Sequence, residues 1–306
     1  MDFAVIGSMA GIGFLALCFG AFLGYAAKKF HVPVDPRVEQ VEDVLPGANC
    51  GACAFAGCAG YAKAVVEGKA AVDACTPGGE AVAKAIAGIL GVEAGASTAM
   101  IAVLKCRGDI QLARDAYIYE GIHDCGAAKL VQGGPKACPN GCIGLGTCVE
   151  ACPFDAMAMG ENGLPNIFRD KCTGCGACVV ICPNDVLELM PAKDHVWIAC
   201  NNNYSGKLVK EVCGTGCIAC RLCVKECPFD AITFDNNLAH IDYEKCKNCE
   251  ICVVVCPTGT INTKKSGEIL NDSPKVRAAR EKKKAKEKEK KLAEANAVKD
   301  SAAKDE

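Results

Sequence analysis

The 306-residue chain has one tryptophan and four histidines, and aromatic residues make up only 6% of it. His31, His123, His195 and His240 share no spacing, and no Ser/His/Asp or Cys/His grouping of the hydrolytic kind stands out. That leaves no candidate for nucleophilic catalysis. A G-x-G-x-x-G run is missing, so the common dinucleotide fingerprint is missing with it. Basic stretches interleaved with aromatics are also absent, which removes nucleic acid as a partner. Charge itself is lacking at the start: "FAVIGSMAGIGFLALCFGAFLGYAA", Phe3 to Ala27, is 25 residues without a formal charge.

At about 1.5 Å per helical residue that run exceeds the roughly 30 Å hydrocarbon core of a bilayer. A cleavable signal needs a basic leader, and only Met1 and Asp2 precede the apolar run. Cys18 follows Leu17 where a lipid-modified cysteine follows a small residue, so Cys18 reads as a lipid-facing or helix-packing side chain. Lys28 and Lys29 close the run, and the positive-inside rule then puts everything after residue 29 on the cytoplasmic side of the membrane.

What the chain has in excess is cysteine, 25 residues. Disulfide frameworks belong to short chains in oxidising compartments, and zinc knuckles use two separated C-x2-C pairs. Here the cysteines fall into ferredoxin-spaced groups, four of which end in Cys-Pro, the mark of [4Fe-4S] ligation. In the first group, Cys50, Cys53 and Cys58 sit in a Gly/Ala-rich loop and Cys75 returns after a helix expected over about residues 60–68. Further on, "GEAVAKAIAGIL" has helical spacing with a glycine stop, "TAMIAVLKC" reads as a strand ending at Cys106, and Cys125 follows a Tyr-containing helical stretch.

The next segment is an internal duplication. Cys138, Cys142, Cys148 and Cys152 recur 75 positions later as Cys213, Cys217, Cys223 and Cys227. Cys172, Cys175, Cys178 and Cys182 recur 74 later as Cys246, Cys249, Cys252 and Cys256. Between the halves of each copy lies a hairpin-like insert, "DAMAMGENGLPNIFRD" and "DAITFDNNLAHIDYE". In two-cluster ferredoxins the Cys before Pro ligates the other cluster. Cys182 is then expected to join Cys138, Cys142 and Cys148, and Cys152 to join Cys172, Cys175 and Cys178. In copy two, Cys256 joins Cys217, Cys220 and Cys223, while Cys227 joins Cys246, Cys249 and Cys252. Valines and isoleucines beside these ligands, among them Val180 and Val254, are expected to form an apolar jacket.

Five clusters use 20 cysteines. Cys106, Cys125, Cys200 and Cys213 remain once Cys18 is set aside, and Leu145 stands in copy one where Cys220 stands in copy two. The four either hold a sixth cluster or are buried thiols. "AVLKC" and "HVWIAC", which end in Cys106 and Cys200, are expected as neighbouring strands. Asp155 and Asp230, each after Cys-Pro-Phe, read as turn residues, and Trp197 as core. From Lys275 to Lys291 there are ten Lys/Arg and three Glu, the composition of a solvated helix or disordered tail, or of a segment drawn to anionic lipid.

The expected fold class is α+β: an anchor (1–29), an N-terminal iron–sulfur domain (30–95), connecting regions (96–135 and 192–212), two ferredoxin modules (136–191 and 213–265) and a tail (266–306). From Met1 to Thr263 the order and wording, with "VEDVLPGANCGACAFAGCAGYA" and "GGPKACPNGCIGLGTCVEACPFDA", resemble the B subunits of Rnf complexes. Ala54 departs from the glycine expected there. The resemblance implies that electrons from reduced ferredoxin enter this chain and pass to partner subunits carrying flavins and an NAD site, with sodium or proton export coupled to the flow. A related membrane complex that reduces a redox-sensing regulator, and a structural metal scaffold without turnover, are the alternatives.

Overall fold

The computed structural model describes residues 3–30, 35–95 and 98–263, together with Ala285. Apart from Ala285, the basic tail lies outside the described residues. The uncharged N-terminal run forms one helix, α1 (Phe3–Lys29), with Lys28 and Lys29 in its last turn, where positive charge suits the helix dipole. Among the described residues it is the helix long and apolar enough to cross a membrane. Ile12, Phe14, Leu17 and Phe22 are exposed along it.

Asp35 opens α2 (Pro36–Val44) by accepting the Arg37 amide at 2.9 Å, with Pro36 in the first turn, where no N–H partner is needed. Two further helices, α3 (Gly57–Val66) and α4 (Gly79–Leu90), pack on α2 through the buried Val41, Tyr61, Val65 and Ile86. α3 starts earlier than its apolar spacing suggests because the Cys58 amide finds the Asn49 side chain at 2.8 Å, which steadies the first turn. α4 ends on Gly91 at φ 68, a left-handed stop.

Beyond residue 98 one succession of elements occurs twice. The first is β1 (Met100–Leu104), α5 (Cys125–Leu130), α6 (Thr147–Glu150), β2 (Met157–Met159), β3 (Pro165–Ile167), α7 (Ala177–Ile181) and β4 (Leu187–Pro191). The second is β5 (Val196–Ile198), α8 (Gly206–Val212), α9 (Leu222–Glu226), β6 (Ile232–Asp235), β7 (Leu238–Ile241), α10 (Ile251–Val255) and β8 (Ile261–Thr263). β1 pairs antiparallel with β4, in register Leu104 with Leu187, and β5 pairs with β8, Ile198 with Ile261. β1 and β5 are therefore not neighbouring strands, contrary to expectation. Each closes onto the strand that ends its own repeat; β5 packs within its own repeat, whereas Ile101 and Val103 of β1 and Met190 of β4 also pack on Trp197 and Tyr243 of the second. Trp197 links the two, donating from Nε1 to the Leu104 carbonyl at 3.0 Å.

The inserts are hairpins. β6 and β7 turn on Asn236 and Asn237, both left-handed at φ 44 and 61, as a two-residue reversal requires. Asp155 (φ 48), Asp185 (φ 51), Asp230 (φ 49) and Gly259 (φ 61) each stand three residues after the cysteine of a Cys-Pro pair and turn the chain through the left-handed region. Aspartate tolerates that conformation and glycine adopts it freely, which accounts for the two residue types. The stretch 107–124 holds no helix; it is an extended strap, and Cys125 begins α5 rather than following a helix.

Candidate metal centre

All 25 cysteines are free, and 24 of them lie beyond α1. In the second repeat one cavity is walled by Cys217, Cys220, Cys223 and Cys256, and another by Cys227, Cys246, Cys249 and Cys252. Local chain geometry explains the exchange of Cys227 and Cys256. α9 and α10 pack together, and each is entered through a left-handed residue, Arg221 (φ 58) or Glu250 (φ 60). Each helix carries the third cysteine of its run in its first turn and stops at the fourth, because the next residue is proline. Backbone amides reach sulfur: Ala231 donates to Cys227 Sγ at 3.4 Å and Asn248 to Cys246 Sγ at 3.5 Å. Burial pushes the Cys223 thiol up to about 11, with Cys217 adding to it. At Cys256 burial acts upward, but the Thr258 hydroxyl and nearby amides outweigh it and hold the thiol below its usual value.

In the first repeat Cys178 is buried and packs with Cys152 and Cys172. Its thiol rises to about 12 through burial and the neighbouring Cys172 and Cys175. The Ala102 amide of β1 donates to Cys172 Sγ at 3.4 Å. Cys175 is raised by burial and then by Cys50 of the N-terminal loop and by Cys152. There, Cys53, Cys58 and Cys75 pack on the α2–α4 core. Burial is the main cause of the raised Cys75 thiol, with Cys53, Cys58 and Cys50 adding to it.

The other cavity of the first repeat departs from the expected set. Its cysteines are Cys125, Cys142, Cys148 and Cys182, and Cys138 is not on its wall. The reason is a short relay at α5. Asp124 caps the helix by accepting the Ala127 amide at 2.7 Å, the Thr147 hydroxyl donates to Asp124 at 3.0 Å, and the Cys125 amide donates to Thr147 at 2.8 Å. Thr147 opens α6, so Cys125 is tied next to Cys148. Cys138 instead faces a cavity between the repeats, with Cys106, Cys142, Cys200 and Cys213. Of the four cysteines left over in the sequence, three meet there and Cys125 does not. The signal that separates them lies in the repeat itself: Cys138 and Cys213 are equivalent by the 75-residue offset, and Leu145 stands where copy two has Cys220. Val180 and Val254, expected in the apolar jacket, are exposed, because a short helix beside two cavities leaves its fourth residue to solvent.

The donor set fits iron–sulfur clusters. No group of three or more His, Cys, Asp or Glu among the described residues converges on a single point. The thiols stand instead in sets around the walls of small cavities, and a four-iron cluster needs one thiolate for each iron. Burial raises several of them, Cys142, Cys178, Cys223 and Cys252 among them, and iron bound there would take the place of their protons.

Family models match the same cysteine groups. Residues 45–77 match a putative Fe-S cluster model; 138–187, and then 171–231 and 216–260, match 4Fe-4S dicluster domain models. The chain is 46% identical over 268 residues to the B subunit of the proton-translocating ferredoxin:NAD(+) oxidoreductase complex of Clostridium ljungdahlii, covering 87% of this chain and 94% of that protein. It is 46% identical over 259 residues to the Na(+)-translocating counterpart of Acetobacterium woodii, 85% and 78% covered. With the B subunit of the ion-translocating oxidoreductase complex of Methanosarcina acetivorans it shares 42% over 261 residues, 85% and 99% covered. With cysteine-walled cavities, dicluster matches and relatives similar over most of their length, the chain belongs to the B-subunit family of ion-translocating ferredoxin:NAD+ oxidoreductases, the Rnf complexes, as an iron–sulfur electron-transfer subunit.

Proposed function

We propose that this chain takes electrons from reduced ferredoxin and passes them along [4Fe-4S] sites to partner subunits that hold flavins and reduce NAD+, with the coupled export of Na+ or H+ carried out by those partners. A bound [4Fe-4S] cluster accepts one electron and gives it back without making or breaking a bond to the protein. The work of the chain is to hold the sites in sequence, keep water from them and set their potentials. Cys50, Cys53, Cys58 and Cys75 hold the N-terminal site; Cys152, Cys172, Cys175 and Cys178 the next. Cys142, Cys148 and Cys182 belong to a third, Cys217, Cys220, Cys223 and Cys256 to a fourth, and Cys227, Cys246, Cys249 and Cys252 to a fifth. Amides aimed at Cys172, Cys227 and Cys246 stabilise the more negative, reduced state and raise the potential. In this reading α1 is a single-pass anchor, with Lys28, Lys29 and all that follows on the cytoplasmic side.

The observation that carries the reading is adjacency. Cys148 packs in one apolar cluster with Cys178, and Cys223 in another with Cys252, so the two sites of each repeat share a core; Cys50 of the N-terminal loop adds to the raised Cys175 thiol. The test is reduction of the full-length, detergent-held chain, purified without oxygen, by catalytically reduced ferredoxin. Bleaching of its broad visible absorbance supports the proposal; a spectrum that dithionite bleaches and ferredoxin leaves unchanged overturns ferredoxin as donor. A colourless chain carrying zinc would favour the structural scaffold.

A further inference from the structure

Five sites leave a gap in the line. The first repeat's cavity ends at Cys142 and the second repeat's begins at Cys217, and between them lies the void walled by Cys106, Cys138, Cys142, Cys200 and Cys213. Cys142 also belongs to the first repeat's own cavity. Setting it aside leaves four.

Those four are related in pairs by the duplication. Cys106 follows β1 and Cys200 follows β5, and both strands continue into one more ladder bond, Lys105 N to Val186 O at 2.6 Å and Ala199 N to Thr260 O at 2.8 Å. Each sulfur then accepts an amide from the first ligand of its own repeat: Cys142 donates to Cys106 Sγ, and Cys217 to Cys200 Sγ, both at 3.3 Å. Cys138 and Cys213 are brought together by the strap. Ala137 donates to the Arg114 carbonyl at 2.8 Å on one side, and Gly214 to the Leu112 carbonyl at 2.8 Å on the other. Gly108 keeps the void open, since a methyl group there would stand 3.2 Å from Cys213 Sγ and 3.8 Å from Cys106 Sγ. Asn202 Nδ2 donates to Cys138 Sγ at 3.2 Å. Arg107 and Lys136 stand in the wall, and among the described residues no acidic side chain does.

The place of Cys125 follows from the same symmetry. Gly144 (φ 88) and Gly146 (φ 81) flank Leu145 in the left-handed region, as Ala219 (φ 59) and Arg221 (φ 58) flank Cys220. The two loops run alike, and Leu145 packs against the cluster of Cys125, Ala128 and Ile143.

We propose that Cys106, Cys138, Cys200 and Cys213 hold a sixth [4Fe-4S] cluster between the repeats, and that Cys125 is the fourth ligand of the site formed with Cys142, Cys148 and Cys182. This rests on the iron–sulfur reading of the other sites. The sixth site receives one electron from the site on one side and delivers one to the site on the other, so it joins the two repeats into one conductor, with ferredoxin as reductant and the partner subunits as oxidant.

Iron and acid-labile sulfide on the full-length chain, purified without oxygen, give the first test, with zinc measured alongside. About 24 irons per chain support six sites. About 20 irons, with reducible ferredoxin-type spectra, overturn the sixth site and leave the electron-carrier reading standing; zinc in place of iron overturns both. Ligand assignment needs variants. Cys106→Ala with Cys200→Ala is expected to carry about four irons fewer. In that background Cys138→Ala is expected to remove no more iron, whereas Cys125→Ala lowers it again; the reverse result returns Cys138 to the ferredoxin site and overturns the exchange. Leu145→Cys added to Cys125→Ala rebuilds the C-x2-C-x2-C run of the second repeat and is expected to restore the lost iron. Iron that stays low in that double variant counts against the place given to Cys125.

Discussion

Ala54 holds φ 66 in the ligand loop, inside the left-handed region where a side chain costs about 1 kcal/mol or more. Glycine at this position relieves that strain without touching a thiol. Ala54→Gly is therefore expected to raise stability by up to about 1 kcal/mol, offset in part by the freedom glycine adds to the unfolded chain. A denaturant midpoint on the iron-loaded chain reads this, and an unchanged or lower midpoint denies the strain. Gly108 is the opposite case: its conformation is ordinary, and the constraint is space. Gly108→Ala pushes a methyl group to 3.2 Å from Cys213 Sγ and 2.9 Å from Ala113 Cβ. Loss of about four irons is expected with the other sites intact. A full iron content in Gly108→Ala would show that the void does not need that room.

Short elements carry the ligands, and their ends matter more than their lengths. α5 has six residues, too few to persist alone. Its cap does two jobs, since Asp124 accepts from both the Ala127 amide and Thr147. These bonds hold the Asp124 carboxyl below the usual carboxylate range, the Ala127 amide contributing most. A depressed folded value stabilises the charged form, so the contribution is present above pH about 4 and is lost as pH falls through the lower folded value. Asp124→Ala is expected to loosen this corner and to make the iron nearest Cys125 the first lost to a chelator. Equal chelation rates in both proteins would sink that link. At this scale the sequence is partly legible. Cysteine spacing, the two hairpins and the glycine stop of α4 are local signals, and local signals name their elements. The partners of Cys106, Cys125, Cys138 and Cys200 depend on how β1 and β5 close onto β4 and β8 and on a strap without periodicity. Contacts so distant in sequence leave no spacing to read, except for the 75-residue echo between Cys138 and Cys213.

On the proposed reading the sites pass electrons along one line across the whole molecule. Cys50 acts on the Cys175 thiol; Cys148 and Cys178 pack in one cluster; Cys142 and Cys217 each donate an amide into the void between the repeats; and Cys223 and Cys252 pack in another cluster. A line has two ends and can be cut. The double variant Cys106→Ala, Cys200→Ala leaves the ligands of the sites on either side in place, so the other five sites are expected to keep their iron. When limiting reduced ferredoxin is mixed with it, the sites on the entry side are expected to bleach at the original rate and those beyond the cut in a separate, slower phase, whereas dithionite, small enough to reach each site, bleaches both. Freezing the sample between the phases and recording its electron paramagnetic resonance identifies which repeat was reduced first, and so which end ferredoxin uses. One undivided phase at the original rate would mean that electrons pass between the repeats without the central thiolates. In that case Cys106, Cys138, Cys200 and Cys213 join the repeats mechanically and carry no current.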